Sequence, residues 1–189
     1  MKLFINTCFE TVLIGLLSED GEDLIALQSW KADRQESKKL TPRISEMIKN
    51  NDLSKDDISS VNIVTGPGSF TAVRIGFIVG KAFAASLGVK LYECNSFEFI
   101  SALMKNKGDF GFIKAGRKMI YRFDLSNSEY ELLEEREPES NEINTSEIDM
   151  EIVFKDNFNN LIPKMRLVEK VETFEPNYIR EPNINIPKG

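Results

Sequence analysis

The stretch that most restricts the fold runs from Val61 to Gly88, VNIVTGPGSFTAVRIGFIVGKAFAASLG. A β-branched run, a glycine turn and a long apolar segment predict a buried strand, a tight loop and a helix over 70–87 ending on a left-handed Gly88. That helix carries only Arg74 and Lys81 as charges in about five turns. A helix lying on its own sheet needs one apolar face, and this one is apolar almost all round. Ala72, Gly76, Gly80 and Ala84 recur every fourth residue and make a flat strip. Such a strip lets another backbone come close, whether the chain's own sheet or a second helix. The side bearing Val73, Phe77 and Ala84 needs further cover, and in a chain of 189 residues a second subunit is the expected cover.

The flanking pattern supplies the sheet. KLFINTC and TVLIGLL read as a hairpin, Ser18-Glu19-Asp20-Gly21 as the next turn, and DLIALQSW as a third strand. From Asp33 the period changes, and Leu40, Ile44, Met47 and Ile48 share a helical face that Pro42 is expected to kink or tighten. VKLYEC is another strand, and Ser96 is the expected cap of a helix reaching about Met104. The order is that of an α/β fold, a mixed sheet flanked by helices. DFGFIKA, MIYRFDL and EYELLEE read as a second meander. Between Glu134 and Asp149 the chain is acidic and poor in apolar residues, the pattern of a mobile loop, with EIVFK expected as a last strand and an extended tail from Pro176. Two lobes are expected, 1–105 and a smaller 106–189.

The loop invites a test as a nucleotide site. A phosphate-binding loop of the Gly-Lys-Ser/Thr type is absent, since Gly80-Lys81 is followed by Ala82. The dinucleotide fingerprint fails because Thr71 stands where its third glycine belongs. Gly66 and Gly68 permit a tight turn, Ser69 or Thr71 can cap the helix, and the helix N-terminus is open to an anion, so both readings stand. The chain contains no histidine, which removes His-based triads, His metal sites and an imidazole base. Cys8 and Cys94 are too few for a metal knuckle and read as reduced thiols. A net charge of −6 argues against unaided nucleic-acid binding. Asp109 or Asp124 could be proposed as a stand-in acid, but an acid beside a strand is usually just solvated, and Arg117 and Arg180 read as anion contacts or, more often, solvated surface. The apolar N-terminus is interrupted by Asn6, Thr7 and Glu10, and no run reaches the roughly 18 apolar residues of a membrane span, so a cytoplasmic protein is expected.

GPGSFTAVRIG resembles the signature of the bacterial TsaB (YeaZ) family, GPGSFTG followed by an apolar residue and RIG, with Ala72 in place of the glycine. The loop residues Gly66, Pro67, Gly68, Ser69, Phe70, Thr71 and Arg74 carry the match. KLFINTCFETVLIGL is similar to the family's first hairpin, with Asn6-Thr7 where an Asp-Thr pair is usual. RQESKKLTP resembles the first-helix segment with Glu36 at a usual histidine, and KAGRKMIY and PNYIREP resemble two later family elements.

The resemblance implies an actin/Hsp70-like ATPase (ribonuclease-H-like) fold whose second lobe is reduced. It implies a pseudoenzyme, the catalytically silent subunit that pairs with a TsaD-like protein in making threonylcarbamoyladenosine in tRNA. A TsaE-like ATPase would join through the complex, tRNA would be met only indirectly, and the chain alone would form homodimers. On this reading Leu40, Ile44, Met47, Ala72, Val73, Gly76, Phe77, Gly80 and Ala84 form the pairing surface. Asn6 marks a degenerate nucleotide position, because an amide supplies no negative charge for a metal-bound nucleotide. No cofactor is expected on the chain alone, and nucleotide at a shared interface is left open. A self-associating homodimeric scaffold, or an ATPase, kinase or peptidase of the same fold, are the alternatives.

Overall fold

The computed structural model describes residues 1–33, 35–105, 107–116 and 118–177. Strands β1 (Lys2–Asn6), β2 (Thr11–Leu17) and β3 (Leu24–Lys31) form an antiparallel meander. Helix α1 (Glu36–Asn50) carries the chain to β4 (Ser60–Val64), which lies parallel to β1. Helix α2 (Phe70–Leu87) then leads to β5 (Lys90–Cys94), parallel to β4. Gly88, at φ 67°, ends α2 in the left-handed conformation its lack of a side chain permits.

Residue alternation in β1 divides the interior. Leu3 and Ile5 face one core with Leu40, Ile44 and Phe77, whereas Phe4 faces the other with Phe99 and Phe154. Because helices or a second sheet cover both faces, β1, β2 and β4 read as continuous apolar runs. Helix α1 runs through Pro42 unbroken instead of ending there. Pro42 and Lys38, whose carbonyl loses its helical donor, are both exposed, so water can replace the missing bond.

Helix α3 (Ser96–Leu103) is capped by Asn95, not Ser96. Asn95 accepts from the Glu98 amide at 2.8 Å, and Glu98 accepts from the Asn95 amide at 2.9 Å, a reciprocal capping box. The second sheet holds β6 (Phe110–Gly116), β7 (Met119–Asp124) and β8 (Tyr130–Glu134) as the expected meander. Two further expectations fail. The acidic segment contains β9 (Glu142–Asn144), paired parallel to β6, and a 3-10 turn, Thr145–Glu147. EIVFK is the first part of helix α4 (Met150–Leu161), whose buried residues Met150, Val153, Phe154, Phe158 and Leu161 keep helical spacing.

The ordered segment is held by charge. Glu142 accepts from Arg122 Nε at 2.7 Å, from Arg136 Nη1 and Nη2 at 2.8 and 2.9 Å, and from the Glu139 amide at 2.7 Å. Arg122 lies 3.4 Å over the Phe110 ring and Arg136 4.9 Å over Phe112, so the guanidiniums cover aromatic rings while they pair.

The 106–189 stretch does not remain with the second sheet. Strand β10 (Arg166–Leu167) joins β5 antiparallel, completing a six-stranded sheet in the order β10-β5-β4-β1-β2-β3 beside the four-stranded β8-β7-β6-β9. The aromatic core between them includes Phe97, whose ring centroid is 5.9 Å from Tyr121 and 4.9 Å from Phe123.

Candidate functional site: the glycine loop and its helix

The loop after β4 is tied down by its neighbours. The Thr65 amide donates to the Cys94 carbonyl at 3.0 Å, the Ser96 amide to Gly66 at 2.7 Å, and the Ser69 amide to Cys8 at 3.2 Å. Gly66 sits at φ 101°, and a Cβ on Gly68 would run into the Cys8 carbonyl, which explains both glycines. Ser69 occupies the N-cap position of α2 but makes no side-chain cap hydrogen bond there. The turn is therefore built and the hydroxyl cap is not. One loop amide available to an anion, that of Ser69, is already bonded to Cys8.

Asn6 ends β1 completely buried, its Oδ1 accepting from the Cys8 amide at 2.9 Å and its Nδ2 without a partner among the described residues. Next to it, Thr7 donates its hydroxyl to the Ala72 carbonyl at 2.6 Å and fastens the first hairpin to α2. Burial pushes the Cys8 thiol up to about 12 and also raises Cys94, so both stay protonated at neutral pH. Asp124 builds a turn: bonds from the Ser126 hydroxyl and amide, at 2.5 and 2.7 Å, hold its carboxyl below the usual range. Asp109 accepts from Asn141 at 3.1 Å. Among the described residues no group of three His, Cys, Asp or Glu side chains is placed to hold a metal.

The expected pairing surface is corrected. Leu40, Ile44, Met47, Ala72, Val73, Gly76, Phe77, Gly80 and Ala84 are all buried within the single chain. The four-residue strip faces the chain's own sheet, because a Cβ on Gly76 would strike Thr7 and one on Gly80 would strike Ile63. The small residues serve helix-to-sheet approach. What α2 turns outward is a different stripe: Thr71, Ile78, Ala82 and Ala85 are exposed and Ile75 is half-buried. Ile78 is 57% exposed, and Arg74 is the one charged residue of the helix on that side. Sequence reasoning missed this stripe because it placed the side needing outside cover at Val73, Phe77 and Ala84, which are buried. Of the remaining candidates, Arg117, Arg180 and most of the PNYIREP element lie outside the described residues.

A groove of about 410 Å³ lies where the first hairpin meets α4, lined among others by Phe9, Thr11, Ser29, Trp30, Thr145 and Glu151. Its polar groups are partly engaged, Ser29 donating to Glu151.

Comparison with known proteins gives this geometry a context. The family profile described as TsaD, tRNA N6-adenosine threonylcarbamoyltransferase, matches residues 30–145. A tRNA threonylcarbamoyladenosine biosynthesis protein TsaB from Bacillus subtilis is 32% identical over 100 residues, 53% of this chain and 43% of that protein. The Haemophilus influenzae protein of the same name is 38% identical over 89 residues, 46% of this chain and 36% of that one. The matched stretch thus spans less than half the length of these two relatives. A crystal structure described as an uncharacterized protein with similarity to peptidase YeaZ from Pseudomonas aeruginosa superposes with a TM-score of 0.69. It covers 95% of this chain and 99% of that one at 16% identity, a likeness of fold.

Proposed function

The chain belongs to the TsaB (YeaZ) family, within the reach of the TsaD-type profile, and from that premise we propose that it is a non-catalytic subunit that pairs with a TsaD-like protein. Its contribution is to support the making of threonylcarbamoyladenosine in tRNA, in the cytoplasm, with a TsaE-like ATPase joining through the complex. The observation that carries the pairing is the outer stripe of α2, where Ile78 stands 57% exposed among Thr71, Ile75, Ala82 and Ala85. A large apolar side chain held out by a rigid helix is suited to bury itself in a partner.

Three further observations favour a silent subunit. The chain has no histidine to act as a base. Its two thiols are buried and protonated, and so poor nucleophiles. Asn6 places a neutral amide where relatives of the fold place an acid, and that amide is wholly buried. Purified chain hydrolysing ATP above background would overturn this part.

The pairing is tested with Ile78→Glu. The variant is expected to keep the parent's thermal midpoint within a few degrees, because the position is exposed, yet lose at least about tenfold in affinity for a TsaD-like protein. Unchanged affinity in a folded variant removes the stripe from the interface. Self-association through the same stripe is the second reading, since one apolar surface serves either partner. Size-exclusion chromatography with and without the TsaD-like protein separates them: heterodimer replacing homodimer supports pairing, and a persistent homodimer supports the scaffold. Adding and omitting the chain in a reconstituted tRNA-modification reaction tests the role itself.

A further inference from the structure

Helix α2 is apolar on nearly every side, and three of its sides have been accounted for. The sheet takes the glycine side, α1 packs along another, and the Ile78 stripe faces outward. The remaining flank, that of Phe77 and Lys81, is covered by the chain's own C-terminal segment. After β10, the Val168 amide donates to the Leu91 carbonyl at 2.9 Å, and Val168 is buried. Val171 and Phe174 then pack on the core under α2, the Phe174 ring centroid lying 5.2 Å from that of Phe77.

Lys81 fixes the crossing. Its ammonium donates to the Glu172 carbonyl at 3.3 Å and the Phe174 carbonyl at 3.0 Å, and sits 5.3 Å from the centre of the Phe77 ring. A lysine suits this place because it offers three donors on a flexible stem to backbone carbonyls and carries no acceptor of its own. The far end of the segment is seated on the glycine loop. The Asn177 amide donates to the Thr65 carbonyl at 2.9 Å, and a Cβ on Gly66 would come within 3.0 Å of the Asn177 carbonyl. Gly66 thus leaves room for the chain's own C-terminal segment.

We propose that residues 168–177 are a strap fastened by Lys81, and that the strap leaves α2 a single open apolar stripe, so that the chain associates strictly in pairs. With the strap seated, Phe77 is covered and only the Ile78 side can accept a partner. With it released, α2 presents two separate apolar surfaces, and two surfaces on one helix permit chains of contacts instead of closed pairs. The restriction to pairs rests on the reading of the outer stripe given above; the fastening by Lys81 does not.

The test uses the full chain carrying Lys81→Met or Phe174→Ser, with Lys81→Arg and Phe174→Leu as conservative counterparts. Amide hydrogen exchange of peptides covering 168–177 is read on the chain alone, and light scattering across a concentration series reads its mass. Losing two hydrogen bonds from Lys81 is expected to speed exchange in the segment by about tenfold and to add species heavier than a dimer. The conservative variants should behave as the parent does. If Phe174→Ser melts the domain, Lys81→Met, at a half-buried position, still carries the test. Exchange in Lys81→Met equal to the parent's overturns the fastening. Faster exchange with an unchanged mass distribution overturns the restriction to pairs. Should Ile78→Glu leave pairing intact while Lys81→Met still frees the segment, the pairing stripe falls and the strap stands.

Discussion

Glu142 lies in a stretch whose composition suggested only solvent, and its side chain is fully buried between two arginines. The Arg136 guanidinium, followed by Arg122, holds its carboxyl at about 2, against an ordinary value of 4.5. A carboxyl depressed in the folded state adds stability at pH values above its unfolded value, and loses it as pH falls through the folded one. Denaturant midpoints should therefore hold steady near neutrality and fall between pH 4.5 and about 2; Glu142→Gln should flatten that part of the decline and destabilise the chain by about 2 kcal/mol at pH 7. The glycines make the opposite lesson. Gly76→Ala and Gly80→Ala would drive a methyl into Thr7 and Ile63 respectively, with an expected loss of about 1–3 kcal/mol in a urea titration. Their four-residue spacing was legible, but spacing along a helix does not say which way its strip faces. That depends on where the sheet lies, a fact of tertiary structure.

At the scale of elements, the strands and α-helices through α3 were readable because the period is unambiguous: alternating or continuous apolar strands, then apolar residues at three- and four-residue steps. The second half was harder. EIVFK, five residues taken alone, suits a strand; only with Phe158 and Leu161 does the helical step of α4 emerge. Its start is set by Asp149, whose Oδ1 accepts from the Glu151 and Ile152 amides at 3.1 and 3.2 Å. Asp149→Ala should weaken the fold by about 1 kcal/mol in thermal denaturation, whereas Asp149→Ser should restore most of the loss. Strand β9 escaped notice for a different reason. Three residues with one apolar side chain have no period to read, and the strand is made by its parallel partner β6 and by the Glu142 pairs. The cap of α3 shows how close two readings can lie, since Asn95 and Ser96 are both good capping residues and only the reach to Glu98 decides between them.

For the molecule as a whole, the chain returns to the six-stranded sheet through β10 after building the four-stranded one. The surface proposed for pairing is apolar with Arg74 as its one charged helix residue, so association through it should vary little between 50 mM and 500 mM sodium chloride and strengthen in sulfate. Sedimentation that weakens steeply with sodium chloride would instead point to a charged interface elsewhere. Strand β10 has a consequence for the open borders of the first sheet. It is two residues long, and Arg166 forks to Glu93 at 3.0 Å and to Glu98 at 2.9 Å just where another chain would begin to add. That border is closed to templating by a short, charged bolt. The opposite border, β3, offers eight residues from Leu24 to Lys31 with Ile25 exposed at 42%, so unwanted edge-to-edge growth of this protein would start there.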